Sequence, residues 1–213
     1  MLRPLFYFNN IIMDSNFWNE RYISKEYAYG KEPNFFFRNF ITQKLQPPGK
    51  LLLPAEGEGR NAVFAASQGY QVTAFDFSTD GKNKALLLAE EKKVTIDYQI
   101  SSIQFFDYVP ETYDLVGLFF VHQSPQIRPA FHYRVIQSLK TGGMICLEAF
   151  HIDQINLTSG GPKSMDMLMH LEQLSEDFKD MEIIHLAKTQ RDLDEGSFHQ
   201  GMAALVQLIA IKK

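Results

Sequence analysis

The chain has 213 residues, 45% of them hydrophobic, and a formal net charge of −4 at pH 7. This length predicts one domain with a full core, the charge disfavours nucleic acid as a partner, and no apolar run approaches the ~20 residues of a membrane span. The one cysteine, Cys146, excludes an intrachain disulfide and fits a reducing compartment, so we predict a cytoplasmic protein.

The first predicted elements precede any sheet. Residues 1–13 are interpreted as a short N-terminal extension and residues 14–213 as a single domain. A short helix is predicted over 16–22. A second helix is predicted over 33–45, with Pro33 in its first turn, and the prolines at 47 and 48 end it.

Five strands are predicted next, and three of their four connections contain a helix. The strands are expected at 50–54, 71–76, 95–101, 113–121 and 144–150, and the helices at 60–68, 78–92 and 125–139. The almost unbroken apolar run over 113–121 is typical of a central parallel strand. Residues 140–143, with two glycines, predict a turn before the fifth strand.

After residue 150 the alternation of strands and helices loosens. We predict a loop over 151–163, a helix over 165–178, and a hairpin of strands 181–191 and 202–211. One strand of that hairpin must run antiparallel to its neighbour in the sheet. The pattern as a whole indicates an α/β fold with a mainly parallel sheet.

The most informative stretch is the apolar run that ends in a glycine turn and passes directly into a helix. It covers residues 51–62 and carries Gly57 and Gly59, and the next predicted strand ends in Asp76. In open α/β sheets ligands bind outside the carboxyl ends of the strands. A glycine turn followed by a strand-end carboxylate suits a nucleoside, because the carboxylate accepts hydrogen bonds from the ribose hydroxyls.

Three ligands compete for this turn: a dinucleotide, a phosphate and S-adenosylmethionine (SAM). The turn lacks the Gly-Lys-Ser/Thr of a phosphate-binding loop, and the carboxylates of Glu56 and Glu58 would repel a pyrophosphate. They suit SAM, which carries an ammonium and a sulfonium but no phosphate. An NAD-dependent oxidoreductase is the alternative enzyme, and a SAM-binding sensor or scaffold without turnover is the alternative outside enzymes.

From residue 16 to 213 the sequence resembles the class I SAM-dependent methyltransferases, in particular the small tellurite-resistance and thiopurine-methyltransferase-like group. The motifs that carry the resemblance are residues 18–22, 29–34, 57–61, 69–76, 139–143 and 160–162. The resemblance implies a three-layer Rossmann-like fold with a seven-stranded sheet of order 3-2-1-4-5-7-6, strand 7 antiparallel. It also implies SAM as cofactor and S-adenosylhomocysteine as product.

The resemblance implies cofactor contacts along the whole chain. Asp76 takes the ribose hydroxyls in this interpretation, and Tyr22 and Tyr29 help to close the pocket. The other predicted cofactor-binding residues are Ala55, Glu56, Gly57, Gly59 and Asn61 at the turn, Phe77, Ser102 and Ile103 at the adenine, and Phe119 and Val121 beneath the sulfonium. No metal site is predicted.

Two positions depart from the family pattern. The acid usual in the first strand is replaced by Leu53, and the acid that often follows the third strand is replaced by Ser102. Glu56 or Glu58 either meets the ammonium in place of the missing acid or is simply solvated. A serine hydroxyl accepts a hydrogen bond more weakly than a carboxylate, so we expect modest SAM affinity.

Methyl transfer depends mainly on positioning of the acceptor, and a general base is needed only where the acceptor carries a proton at neutral pH. The candidates are His122, His151, His199 and Glu148. The alternatives are that Asp76 only caps a helix and that His122 only hydrogen-bonds backbone. The predicted partner is a small-molecule methyl acceptor, an oxyanion, a thiol or another soft nucleophile, with no nucleic acid or membrane, for a monomer or homodimer.

Overall fold

The computed structural model describes residues 16–43 and 48–213. The predicted extension over 1–13 and the end of the second predicted helix lie outside this range. The strands are β1 Lys50–Pro54, β2 Gln71–Asp76, β3 Asp97–Ile100, β4 Tyr113–Phe119, β5 Leu139–Phe150, β6 Met181–Asp194 and β7 Gln200–Lys212. The helices are α1 over residues 16–22, α2 Phe35–Thr42, α3 Arg60–Ser67, α4 Thr79–Glu91, α5 Arg128–Ser138 and α6 Leu171–Asp177.

All seven strands form one sheet of order β3-β2-β1-β4-β5-β7-β6. The first five strands pair in parallel, and β7 is antiparallel to both β5 and β6. The predicted α/β class, strand order and antiparallel strand 7 are therefore confirmed. In the described part of the chain no helix has the length and apolar character to cross a membrane.

Helices cover both faces of the sheet. Side chains of α5 and α6, such as Phe131 and Leu174, belong to the same core layer on one face as Phe75. Side chains of α2, α3 and α4 pack on the other face, where Phe37 and Leu88 are fully buried. Burial of one such side chain contributes about 1.5–3 kcal/mol, so the two layers fix the sheet between them.

The carboxyl ends of β1 to β5 meet at one edge of the sheet, because parallel strands point the same way. The tip of the β6–β7 hairpin, residues 195–199, lies at the same edge, since Phe150 at the end of β5 pairs with Leu205 near the start of β7. This edge carries the candidate site.

The start of α2 differs from the prediction. The helix begins at Phe35, because the Asn34 side chain accepts a hydrogen bond from the N–H of Phe37 at 3.0 Å and so acts as the N-cap. Pro33 therefore precedes the cap and does not occupy the first turn.

The elements around β4 and β5 also differ from the prediction. Strand β4 ends at Phe119, since Phe120 has a left-handed φ of 57° that no strand accommodates. Residues 140–143 lie inside β5 as an irregularity: Tyr113 pairs with Leu139, but Leu115 already pairs with Met144. The chain does loop out where the turn was predicted, without ending the strand.

The predicted helix over 165–178 is divided in two. A single 3₁₀ turn, Met165–Met167, precedes α6. Between them Met169 forms a β-bridge with His151, and its backbone exchanges hydrogen bonds with Phe150 and Ile152 at 3.0 and 3.1 Å. Backbone hydrogen bonds to a distant segment therefore take the place of helical hydrogen bonds at Met169. The hairpin strands β6 and β7 are also longer than predicted.

Candidate active site

The glycine turn after β1 reverses the chain tightly into α3. Ala55, Gly57 and Gly59 have φ values of 51°, 60° and 84°. A Cβ on Gly57 would lie 2.6 Å from the Tyr22 hydroxyl oxygen, and a Cβ on Gly59 would lie 2.5 Å from the Ala85 Cβ in α4. The two glycines therefore allow both the backbone conformation and the close approach of its neighbours.

The two glutamates of the turn are buried, and each has protein partners. Glu56 Oε1 accepts the N–H groups of Asn61 and Ala62 at 2.7 and 2.8 Å, which satisfies the start of α3. Glu58 forms an ion pair with Lys84. The alternative that these side chains are solvated is wrong. Burial raises the pKa of Glu56 to about 7, against these hydrogen bonds.

Asp76 lies beside the turn at the end of β2. Its Oδ2 accepts the Gly57 N–H at 3.1 Å and its Oδ1 accepts the Ser78 N–H at 2.8 Å. Burial raises the pKa of Asp76 to about 6. No lysine or arginine among residues 16–43 and 48–213 forms an ion pair with it. The site therefore holds a buried carboxylate whose charge is not neutralised by the protein.

Ser102 follows β3 at the same edge, next to Asp76, because the Ser101 N–H donates to the Asp76 carbonyl at 3.0 Å. The Ser102 hydroxyl is buried and, within the described residues, has no hydrogen-bond partner. Phe77 and Ile103, which directly follow Asp76 and Ser102 in the chain, are half-buried. An unpartnered hydroxyl and an uncompensated carboxylate fit the base and ribose of a nucleoside. Leu53, where the family acid would stand, is fully buried in the core.

The N-terminal segment packs against the turn, where the Tyr22 hydroxyl lies close to Gly57. The Tyr22 ring is buried and stacks on Trp18 with centroids 5.6 Å apart. It meets Tyr29 edge-on at 6.4 Å. Tyr29 in turn lies 4.5 Å from the His199 ring, so one row of rings leads from the turn to the hairpin tip.

The side chains at the end of β4 point in different directions: Phe119 and Val121 lie in the core, and Phe120 lies at the edge that carries the site. Phe119 packs against Phe37 at 4.7 Å inside the core, and Val121 is buried in the opposite core layer. Phe120 instead places its ring 4.5 Å from His199 and 4.7 Å from Phe150. We name Tyr29, Phe120, Phe150 and His199 the ring set. Sequence reasoning missed Phe120 and Phe150, because an apolar run does not reveal a left-handed residue.

His122 has both ring nitrogens engaged. Its Nδ1 donates to the Met167 carbonyl at 2.8 Å, and its Nε2 accepts the Phe150 N–H at 3.2 Å. Burial lowers its pKa to about 4. These contacts match the alternative that His122 hydrogen-bonds backbone, and they leave it no free lone pair for a proton.

Glu148 is fully buried, and both of its oxygens are engaged. Its Oε1 accepts hydrogen bonds from Asn34 Nδ2 and Arg191 Nη2, and its Oε2 accepts one from Gln207 Nε2, all at 2.6 Å. The Asn34 backbone N–H donates to Asn61 Oδ1 at 2.8 Å. Glu148 therefore ties β5 to the hairpin and, through Asn34, to the turn.

The two remaining histidines lie in different surroundings. His199 belongs to the ring set, and its Nδ1 is 3.7 Å from Glu195 Oε2. Burial lowers its pKa, so its imidazole is neutral at pH 7. His151 instead accepts the Asp153 N–H at 3.2 Å and lies beside His170. Of the candidate bases, His199 alone is in the ring set.

Comparison with known proteins gives one family match. A family model described as a methyltransferase domain matches residues 54–143, which include the turn, Asp76 and Ser102. A probable thiol methyltransferase 2 from Arabidopsis thaliana is 30% identical over 119 residues, 54% of this chain and 51% of that protein. The chain thus spans about half the length of this curated relative.

Solved structures show the same fold. TehB from Haemophilus influenzae superposes with a TM-score of 0.69 at 17% identity, covering 93% of this chain and 67% of that one. The 1,6-didemethyltoxoflavin-N1-methyltransferase of Burkholderia thailandensis, solved with S-adenosylhomocysteine, superposes with a TM-score of 0.65 at 15% identity, covering 100% and 92%.

Residues 54–143, which include the glycine turn and Asp76, match the methyltransferase-domain model, and the sheet has the strand order that the resemblance to class I SAM-dependent methyltransferases implies. TehB and the Burkholderia methyltransferase share this fold.

Proposed function

We propose that this protein transfers a methyl group from SAM to a small soft nucleophile, with thiols as the first acceptor class to test. The observation that carries the proposal is the pairing of Asp76, a buried carboxylate without a cationic partner, with the unpartnered hydroxyl of Ser102. The Arabidopsis relative, named a probable thiol methyltransferase, supports the choice of thiols.

The cofactor-binding roles follow from these positions. Asp76 would accept the ribose hydroxyls, Ser102 would bond the adenine amino group, and Phe77 and Ile103 would flank the base. Ala55 and Gly57 would line the methionine portion. Glu56 and Asn61 would hold the turn in shape through their mutual hydrogen bonds. Bound SAM supplies an electrophilic methyl group on its sulfonium.

The acceptor side is the ring set. Its aromatic faces exclude water and present a polarisable surface to a sulfur nucleophile. His199, neutral and buried, would take the proton of a thiol acceptor. His122 and Glu148, whose polar atoms are engaged, would position the edge without accepting a proton.

The test uses the full chain in two assays. Calorimetric titration with SAM, S-adenosylhomocysteine and NAD measures which nucleotide binds, and methyl-labelled SAM with a panel of thiols, amines and oxyanions measures transfer. We expect binding of SAM but not NAD, and labelled product from a thiol. Absence of heat with SAM at millimolar concentration would refute the proposal. Tight binding without turnover on any acceptor would favour the sensor alternative.

A further inference from the structure

Two arginines stand at the acceptor side, and one carboxylate pairs with both. Arg60 Nη2 lies 2.8 Å from Glu195 Oε2, and Arg191 Nη1 lies 2.9 Å from Glu195 Oε1. Arg191 also reaches Glu148 Oε1 at 2.6 Å. The two arginines and two glutamates therefore form a charge-balanced cluster, and the side chains of Arg60 and Glu195 are about nine-tenths buried.

This cluster adjoins the ring set at two points. Arg60 Nη1 donates to the carbonyl oxygen of Tyr29 at 3.1 Å. Glu195 Oε2 lies 3.7 Å from His199 Nδ1, which has no hydrogen-bond partner within the described residues. A molecule that contacts the ring set would therefore meet the field of the cluster at short range.

Two other arginines of the described chain are committed elsewhere. Arg128 pairs with Asp177 between α5 and α6, and Arg134 donates to backbone carbonyls of the loop after β3. Arg21 does reach the ring set, because its Nη1 donates to the Tyr29 hydroxyl at 3.1 Å while its guanidinium lies 3.8 Å from the Phe198 centroid. Arg60 and Arg191 are thus the carboxylate-paired arginines beside the ring set.

An oxyanion requires uncompensated donors with positive charge. Although burial opposes ionisation of Glu195, the neighbouring His199 and the two guanidinium groups hold its pKa well below its usual range. Glu195 is therefore a carboxylate at every physiological pH. It accepts N–H groups of both arginines and repels an approaching anion, whereas it does not repel a neutral nucleophile.

We propose that Glu195 determines acceptor specificity by neutralising Arg60 and Arg191, so that the site takes neutral soft nucleophiles and rejects oxyanions. This inference rests on the proposed methyltransferase function, because only a methyltransferase has a methyl acceptor. The claim that Glu195 suppresses anion binding can be tested without turnover.

The test measures anion binding directly. The full chain and its Glu195→Gln variant are titrated calorimetrically with sodium selenite, and S-adenosylhomocysteine is titrated into separate samples. We expect the variant to bind selenite at least about tenfold more tightly than the wild type, because one buried negative charge beside two arginines is removed. In the double variant Glu195→Gln with Arg191→Gln the charge balance is restored, and selenite affinity should return to the wild-type level.

Two results would overturn the inference: equal selenite affinity in the wild type and Glu195→Gln, or a gain that persists in the double variant. Glu195→Asn provides the same comparison where the glutamine variant does not fold. The S-adenosylhomocysteine titration judges the proposed function separately. Where turnover is found, the ratio of kcat/KM for selenite to that for 2-mercaptoethanol should rise at least about tenfold in Glu195→Gln.

Discussion

The edge of the sheet carries buried carboxyl groups at both the proposed cofactor side and the proposed acceptor side. The two groups of carboxyls differ in their partners. On the cofactor side, Glu56 and Asp76 receive hydrogen bonds from N–H groups, and burial raises their pKa values to about 7 and about 6. On the acceptor side, Glu148 and Glu195 are paired with arginines. One pair of carboxyls is thus left without ionic compensation, and the other is fully compensated.

This difference assigns the two sides different tasks. A buried carboxylate without a cation is costly, and a ligand that brings hydroxyl donors or positive charge relieves that cost. A buried ion-pair network has no such need, but removal of one partner leaves a charge exposed to a low dielectric. The carboxyls of the cofactor side therefore favour ligand binding, whereas the ion pairs of the acceptor side stabilise its structure.

The largest effect is expected from Glu148→Gln, which breaks the acceptor-side network. Arg191 loses its partner in β5, and loss of one partner from a buried ion pair costs about 3–5 kcal/mol. Urea denaturation measures the free energy of unfolding. Glu91→Gln, which removes the exposed pair with Lys31, is the control and should change nothing measurable. Equal stability of both variants would show that the network is not structural.

The next effect is on ligand binding. Asp76→Ala should weaken SAM binding about 100-fold, since two charge-assisted hydrogen bonds together contribute about 3 kcal/mol. Calorimetry measures the affinity. Asp97→Asn is the matched control and should bind SAM normally. Asp97 is the first residue of β3 and so lies at the end of that strand away from the site. A loss of less than threefold in Asp76→Ala would mean that Asp76 only caps the following turn.

A third prediction concerns pH. The pKa of Glu56 is higher in the folded chain than its usual 4.5, so the folded state holds the proton more strongly and stability falls as pH rises through this window. Between pH 5 and pH 7 this group should contribute a loss of about 2 kcal/mol. Urea denaturation at both pH values should show that Glu56→Gln lacks this part of the dependence. An identical pH dependence in both proteins would contradict the assignment.

The smallest effect is expected at Ser102. Ser102→Ala removes one neutral hydrogen bond to the ligand, worth about 1 kcal/mol, so SAM affinity should fall about fivefold. Ser101→Ala, whose hydroxyl bonds the adjacent carbonyl, is the control. Unchanged affinity in Ser102→Ala would place the adenine amino group elsewhere.

The same division separates what the sequence could predict from what it could not. The cofactor side lies mostly within residues 53–103, so strand ends, glycines and Asp76 could be located from local pattern. The acceptor side joins residues far apart, such as Arg60 with Glu195, 135 positions away, and Asn34 with Glu148, 114 away. No local periodicity encodes such pairs.

Two particular features escape the local pattern. The left-handed φ of Phe120 places its ring at the edge beside His199, where the sequence points only to Phe119 and Val121. The helix over 165–178 was expected from its apolar spacing, but Met169 pairs with the backbone around Phe150 and His151. In both places a contact made by the folded chain overrides the local pattern.

The contrast between the two sides is tested most directly by proton linkage of SAM binding. The full chain is titrated with SAM at pH 6 and pH 8 in buffers of different ionisation enthalpy. Because the pKa of Asp76 is about 6 and a bound ribose favours its charged form, binding at pH 6 should release up to about half a proton from this group. The release should vanish at pH 8 and in Asp76→Asn. Binding at pH 6 without proton release, or with proton uptake, would contradict the account.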